Sequence, residues 1–304
     1  LMHEASVPWK HVLLSGWILD PDRKKMSKSK GNTITPMHLL EQYSADAVRY
    51  WAASARLGVD TAFDEKIFKI GHRLITKIYN ASKFVLQQKG CNGTILCELD
   101  RAFVSRLRIL VERVTAHHEA FDYAHALMET ESFFWNQFTD TYIELAKQRA
   151  WGESVDPGLR DSAIVSLRLG LSVLLRLFAP VLPFVTEEVW SWVYAAESGH
   201  ASIHTAPWPN AKELDEIENP QDFSTFDLAA ECQAAINKSK SSASVSVGRR
   251  IASLTLAAHP MTIASIDAVF GDVLAATRCD AHTWQEDPGL AEGKFSVLDA
   301  RFAE

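Results

Sequence analysis

Cysteine is scarce in this chain: four residues in 304, with Cys91 and Cys97 six apart and Cys232 and Cys279 isolated. None has the short paired spacing of a structural zinc site, so reduced, structural thiols are expected. The eleven histidines form no metal constellation either, and the neighbours His117 and His118 point from different parts of a helix surface. No apolar run reaches the roughly 20 residues of a membrane-spanning helix. The opening stretch mixes His3, Glu4 and Lys10 with its apolar residues and lacks the ordered regions of a secretory signal. These absences lead to an expectation of a cytoplasmic protein with no membrane partner and no metal site.

Acid is missing in one place. The formal net charge is -7, yet from Lys66 to Cys97 there are Lys66, Lys69, Arg73, Lys77, Lys83 and Lys89 and no carboxylate. Steps of three and four place Lys66, Lys69, Arg73 and Lys77 on one helical face, with Ile67, Ile70, Leu74 and Ile78 supplying an apolar one. Such a face is a candidate nucleic-acid contact, with an ordinary solvated surface as the alternative, because overall charge hides the distribution that governs binding. The chain is 47% hydrophobic and 23% charged, enough to bury one substantial core and a smaller one.

What the sequence does have is concentrated between residues 25 and 32, Lys-Met-Ser-Lys-Ser-Lys-Gly-Asn. Lys25, Lys28 and Lys30 alternate with Ser27 and Ser29 and are followed by Gly31. Compact cations, hydroxyl donors and a permissive backbone suit a mobile loop that grips a polyphosphate. Charge density alone fits a solvated basic turn or a localisation signal as well. The flanks favour the loop: His11 to Leu19 reads as a buried strand closed by the turn Asp20-Pro21-Asp22, and Thr35-Pro36 reads as a helix start.

Lys25, Met26, Ser27, Lys28 and Ser29 match the KMSKS signature of class I aminoacyl-tRNA synthetases position for position, and the chain resembles that family. Ser44 to Trp51, Gly58-Val59-Asp60, Phe63-Asp64-Glu65, Asn80 to Phe84, Phe134-Trp135, Tyr142 to Lys147, Pro180 to Phe184 and Thr186 to Trp190 are similar to its valyl branch, with isoleucyl and leucyl relatives next. The resemblance implies ATP as substrate, accompanied by Mg2+, gripped by Lys25, Met26, Ser27, Lys28 and Ser29, with Lys28 and then Lys25 acting on the departing pyrophosphate. It implies valine and its tRNA as partners and a monomer. The family's His-x-Gly-His signature and any stretch able to hold an editing domain are missing, so the sequence is expected to be a carboxy-terminal portion, inactive in adenylation alone. A standalone tRNA-binding module or part of an isoleucyl enzyme are the alternatives.

Helical periodicity covers Leu99 to Glu119, Asp122 to Ala150 and Pro157 to Ala179. Phe133, Phe134, Trp135, Phe138, Trp190 and Trp192 are expected to be core. By resemblance these helices form the anticodon-binding bundle, where Lys147, Gln148, Arg149 and Trp151 are candidate RNA contacts or simply a helix end whose cations suit the dipole. An acidic connector follows, then Phe226 to Ser239 as helix, Ile251 to Ala258 as strand, Met261 to Ala276 as helix, and Cys279 to Trp284 and Lys294 to Phe302 as strands. Lys238, Lys240, Arg249 and Arg250 surround a Ser-rich turn that either touches tRNA or is solvated. The tail shows no heptads for the coiled-coil arm found in many bacterial relatives. The expected fold is mainly α: residues 1–35 end a Rossmann-type catalytic fold with its motif loop, 36–62 form a helical connector, 63–210 the bundle, 211–223 a linker and 224–304 a small α+β module.

Overall fold

The structure is a computed structural model that describes residues 6–88, 93–152 and 156–303; His3, Glu4, Lys89 and Cys91 lie outside the described residues. Contacts divide the chain into two compact units that interleave along the sequence. The first takes residues up to Asn80, Arg113–Glu131 and Arg176–Ala206; the second takes Ala81–Glu112, Ser132–Leu175 and the residues from Pro207 onward.

In the first unit the apolar segment before the basic loop is extended but not buried. Only Ile18–Leu19 (β1) forms a strand, paired in parallel with Thr61–Ala62 (β2). Val12, Leu14 and Trp17 are 66%, 73% and 60% exposed, which corrects the expected buried strand. The segment's Leu14, Trp17 and Leu19 carbonyls accept along one edge from the Gly58, Thr61 and Phe63 amides and Leu19 bridges to Lys25, while Trp17 and Ile18 border a cavity instead of a filled core. Gly16 makes that edge possible, since a Cβ there would fall 2.1 Å from the Val59 carbonyl oxygen.

Helices Met37–Tyr43 (α1) and Ala45–Ala53 (α2) follow, with the start one residue later than expected: Pro36 takes the cap position and makes no side-chain cap bond. Leu39, Tyr43, Ala47 and Phe68 form the local core, with Phe68 on Glu65–Leu86 (α3) stacked 5.3 Å from Trp51. The buried stripe of α3 runs through Phe68, Leu74 and Ile78, whereas Ile70, expected on it, is 44% exposed. Helix Pro183–Trp192 (α8), followed by the short Tyr194–Ser198 (α9), starts with proline at its first position, where the missing N–H costs nothing. Asp46, buried on α2, accepts from the Phe184 and Val185 amides at 3.2 and 2.8 Å, and Arg49 donates to the carbonyls of Val181 and Pro180. One turn of α2 thus satisfies the open end of α8.

The second unit packs Phe103, on Glu98–Glu119 (α4), face to face on Tyr142 with centroids 3.9 Å apart. A Cβ at Gly170, on Pro157–Phe178 (α7), would lie 2.8 Å from the Phe103 ring, so glycine sets how closely α7 approaches. Tyr123–Ser132 (α5) continues into Ile143–Trp151 (α6) through ten residues of π-helix, Phe133–Tyr142. The wider turn is visible in the Thr141 hydroxyl donating to the Asn136 carbonyl five residues back. Phe133, Phe134 and Phe138 are core, as is Trp190 in the first unit; Trp135 and Trp192 are half-buried.

The connector at 211–223 is pinned rather than loose. Leu214 is fully buried, Arg108 donates to the Leu214 and Ile217 carbonyls and to Asn219, Arg101 pairs with Glu218, and Glu98 accepts from the Asp222 amide. Charge composition showed a mostly acidic stretch; Glu98, Arg101 and Arg108 of α4 supply the directional partners. Beyond it, Thr225–Ser242 (α10), Ile251–Ala258 (β3), Pro260–Thr277 (α11), His282–Glu286 (β4) and Phe295–Phe302 (β5) form the small α+β module in the sheet order β4-β3-β5. β3 pairs in parallel with β4 and antiparallel with β5. Among the described residues α11 is long and apolar enough by composition to cross a membrane, which the sequence reading did not anticipate; it packs on α6, α10, β3 and β4.

Candidate functional site

The basic loop is built by one carboxylate and one amide. Asp20 Oδ1 accepts the Lys24 amide at 2.8 Å, and Asp20 Oδ2 accepts Asn32 Nδ2 at 2.8 Å. Asn32 also donates to the Lys25 carbonyl and accepts the Ser27 amide at 2.9 Å. Hydrogen bonds from the Lys24 amide and from Asn32 hold the Asp20 carboxyl below the usual carboxylate range. The two ends of the loop are therefore fastened to one another, with Arg23 in the left-handed region at the turn and Gly31 at φ 66° at the exit.

Within this frame Lys28–Lys30 form one turn of 3-10 helix, capped by Ser27, whose hydroxyl accepts the Lys30 amide at 3.3 Å. The Ser27 and Ser29 hydroxyls lie 2.7 Å apart and share a hydrogen bond. Met26 turns inward to line an apolar cavity of about 550 Å³ with Trp17, Ile34, Leu39, Trp51 and Phe68. Lys25 Nζ sits 3.4 Å from the centroid of the Trp17 ring, a cation–π contact. Lys28 and Lys30 are exposed. Methionine anchors the loop, one lysine rests on an indole, and two lysines with two hydroxyls face solvent from a fixed turn. Cations and hydroxyls in such an arrangement can hold an anion with several oxygens.

The structure brings Lys25, Met26, Ser27, Lys28 and Ser29 together, as the sequence placed them. Asp20, Asn32 and Trp17 were missed as site residues: Asp20 carried only a turn signal, and nothing in the sequence distinguished Asn32 from the end of the motif. On α3, Lys66, Lys69 and Arg73 are exposed on one face and Lys77 is half-buried.

The candidates on α6 separate. Lys147 and Gln148 are exposed; Lys147 pairs with Glu144 at 3.6 Å and lies 5.3 Å from the Phe84 ring, which in turn stacks on Trp151 at 4.2 Å. Arg149 turns the other way, which corrects its reading as an RNA contact. Its guanidinium donates to both oxygens of fully buried Asp100 at 2.7 and 2.8 Å and to Asp272 at 2.9 Å. Tyr142 and Ser162 donate to the same Asp100 at 2.7 and 2.6 Å. Burial opposes Arg149's charge, but the two carboxylates outweigh it and raise its pKa. Burial, followed by the charge of Asp100, raises the Tyr142 hydroxyl. This network is structural, and it fastens α4, α6, α7 and α11 within the second unit.

Cys97, Cys232 and Cys279 are free thiols, and burial pushes Cys97 up to about 11 and Cys232 up to about 12, far from the thiolate range of reactive cysteines. Among the described residues no three His, Cys, Asp or Glu side chains are grouped to hold a metal ion.

Residues 100–255 match the family described as the anticodon-binding domain of tRNA ligase, and residues 1–64 match the class I tRNA synthetases (I, L, M and V). The chain is 47% identical over 292 residues to a valine–tRNA ligase from Salinispora tropica, covering 89% of this chain and 33% of that protein. It is 41% identical over 324 residues to a valine–tRNA ligase from Bifidobacterium longum subsp. infantis, covering 100% of this chain and 34% of that protein. A solved ternary complex of LeuRS, tRNA and LeuAMS from Agrobacterium radiobacter K84 aligns with 66% of this chain and 24% of that chain, at 21% identity and a TM-score of 0.47. The chain spans about a third of the length of the curated relatives it matches.

Proposed function

Since the chain belongs to the tRNA ligase family whose anticodon-binding domain it carries, we propose that it is the part of a valine–tRNA ligase that grips ATP with its basic loop and binds the tRNA anticodon arm with its helices. The latched loop presenting Lys28 carries this reading. In the reaction, the valine carboxylate attacks the α-phosphorus of ATP, giving valyl-adenylate and pyrophosphate; a hydroxyl of the terminal tRNA ribose then takes the valyl group and releases AMP. The leaving pyrophosphate gains charge as the bond breaks, and donors fixed in advance are most effective where charge develops. Lys28 would meet that charge, Lys25 would join by leaving Trp17, and Ser27 and Ser29 would bond phosphate oxygens or keep the turn. Closing after ATP enters and opening for release would use the loop's single latch.

Magnesium enters this reading bound to the nucleotide. Both Asp20 oxygens are taken by Lys24 and Asn32, so Asp20 holds the loop rather than a cation. Residues 1–35 would complete the catalytic fold, 36–62 connect it, 63–210 bind tRNA with Lys66, Lys69, Arg73, Lys77 and Lys147 as phosphate contacts, and 211–304 follow as connector and small module. The protein would work in the cytoplasm as a monomer. In the intact ligase, Lys28→Ala should slow adenylate formation by about 10² or more while valine affinity stays unchanged. Single-turnover pyrophosphate release at the wild-type rate would overturn the assignment.

A further inference from the structure

Residues 232–266 contain no acid, yet they carry Lys238, Lys240, Arg249 and Arg250 in a chain of net charge -7. The fold concentrates these cations and adds Arg278. Because β3 and β4 run parallel, the turn at 243–250 and the junction after α11 reach the same end of the sheet: Ile251 pairs with Cys279, and its amide donates to the Arg278 carbonyl at 2.9 Å. Arg278 Nη1 donates to the Gly248 carbonyl at 3.1 Å. The end of β5 arrives alongside, with the Ala303 amide on the Arg250 carbonyl at 3.0 Å.

The turn is fixed from within. Lys240, fully buried, donates to the Val247 and Thr277 carbonyls at 2.7 and 2.6 Å, tying the turn to the end of α11. Lys240 and Arg278 thus serve backbone carbonyls, as cations do near helix C-termini. Lys238, Arg249 and Arg250 project outward and are exposed. Asp280 pairs with Arg250 at 2.8 Å, and the Arg301–Asp299 pair nearby cancels itself. Among the described residues, the exposed cations Lys238, Arg249, Arg250 and Arg278 thus face one opposing carboxylate, Asp280, and exposed Ser242 and Ser244 add hydroxyl donors.

We propose that this end of the α+β module is a second RNA-contacting surface, gripping the phosphate backbone of tRNA outside the helical part of the anticodon domain. The proposal rests on the reading that the chain binds tRNA and extends it to a named surface. Guanidinium forks match phosphate oxygens in pairs, and a locally positive surface on an acidic protein concentrates a polyanion there. Phosphate contacts position a nucleic acid without reading its sequence.

The test uses the 304-residue chain with fluorescently labelled transcripts of valine tRNA and of one unrelated tRNA, measuring anisotropy between about 50 and 200 mM salt. The Arg249→Ala/Arg250→Ala variant should bind both transcripts about tenfold more weakly and lower the slope of log Kd against log salt by about 1 to 2, with an unchanged melting temperature. Lys238→Ala should do the same to a smaller degree, and Arg249→Lys/Arg250→Lys should keep the slope. Wild-type slope and affinity in the alanine variants would overturn this surface alone. Weakened binding at an unchanged slope would also overturn it, as an indirect structural effect. No binding of either transcript by the wild-type chain would overturn both this surface and the tRNA reading beneath it.

Discussion

The basic loop and the Arg149 network use the same kinds of residue to opposite ends. In the loop, one carboxylate and one amide hold backbone atoms, leaving Lys28 and Lys30 exposed. Around Arg149, two carboxylates take up the guanidinium, and a phenol and a serine donate to one of those carboxylates, so the cation is engaged inside the unit. The difference lies in what the acid binds: Asp20 spends itself on the chain, Asp100 on a side-chain cation. Arg149 is closed to a ligand because it and its carboxylates are buried together, whereas Lys28 and Lys30 stay open to solvent.

That contrast can be broken most severely at its buried side. Arg149→Ala leaves Asp100 and Asp272 buried without their counter-ion and should cost about 3–5 kcal/mol of stability. Urea denaturation reads this directly, and a loss below about 1 kcal/mol, the scale of an exposed pair, would show that the network is not what holds the second unit together.

Arg108 tests an intermediate case, a partly buried cation spent on a connector. Arg108→Ala removes donors to Leu214, Ile217 and Asn219 and should cost about 1–3 kcal/mol, with the connector becoming cleavable by protease before the unit melts. Cleavage only after global unfolding would mean that Leu214's burial alone fastens it.

The smallest effect on stability belongs to the loop. Asp20→Asn should leave the melting temperature unchanged while trypsin cuts faster at Lys24, Lys25 and Lys28. Acid should mimic the substitution. The folded-state pKa of Asp20 is depressed, so its contribution is present above the ordinary carboxylate range and is lost as pH falls below it. The Lys24 amide resonance followed by NMR from neutral pH downward checks this; a shift centred near neutrality would assign the latch to another group.

How these regions differ in legibility follows from the same physics. The helices and strands of the α+β module could be placed within one to three residues because periodicity and turn residues report local preference; β3 spans the expected Ile251–Ala258. The motif was legible because its spacing is local. Arg149 was not: its partners Asp100 and Asp272 lie 49 and 123 residues away, and a lysine- and arginine-bearing helix end looks alike from either side. For the same reason Ile70 was assigned to the wrong edge of α3's apolar stripe, since a 3.6-residue period fixes the face only approximately. The apolar run before the loop misled by its composition, because burial requires neighbours on both faces and not merely a willing sequence.

The π-helical stretch from Phe133 to Tyr142 has a further consequence. Each of its turns consumes an extra residue, so the segment sets the angular phase at which everything after it emerges, and Arg149 meets Asp100 only because that count is right. Along this part of the chain the number of residues is itself information. Insertions and deletions there act as rotations, turning Arg149 away from its acids while leaving every side chain chemically intact.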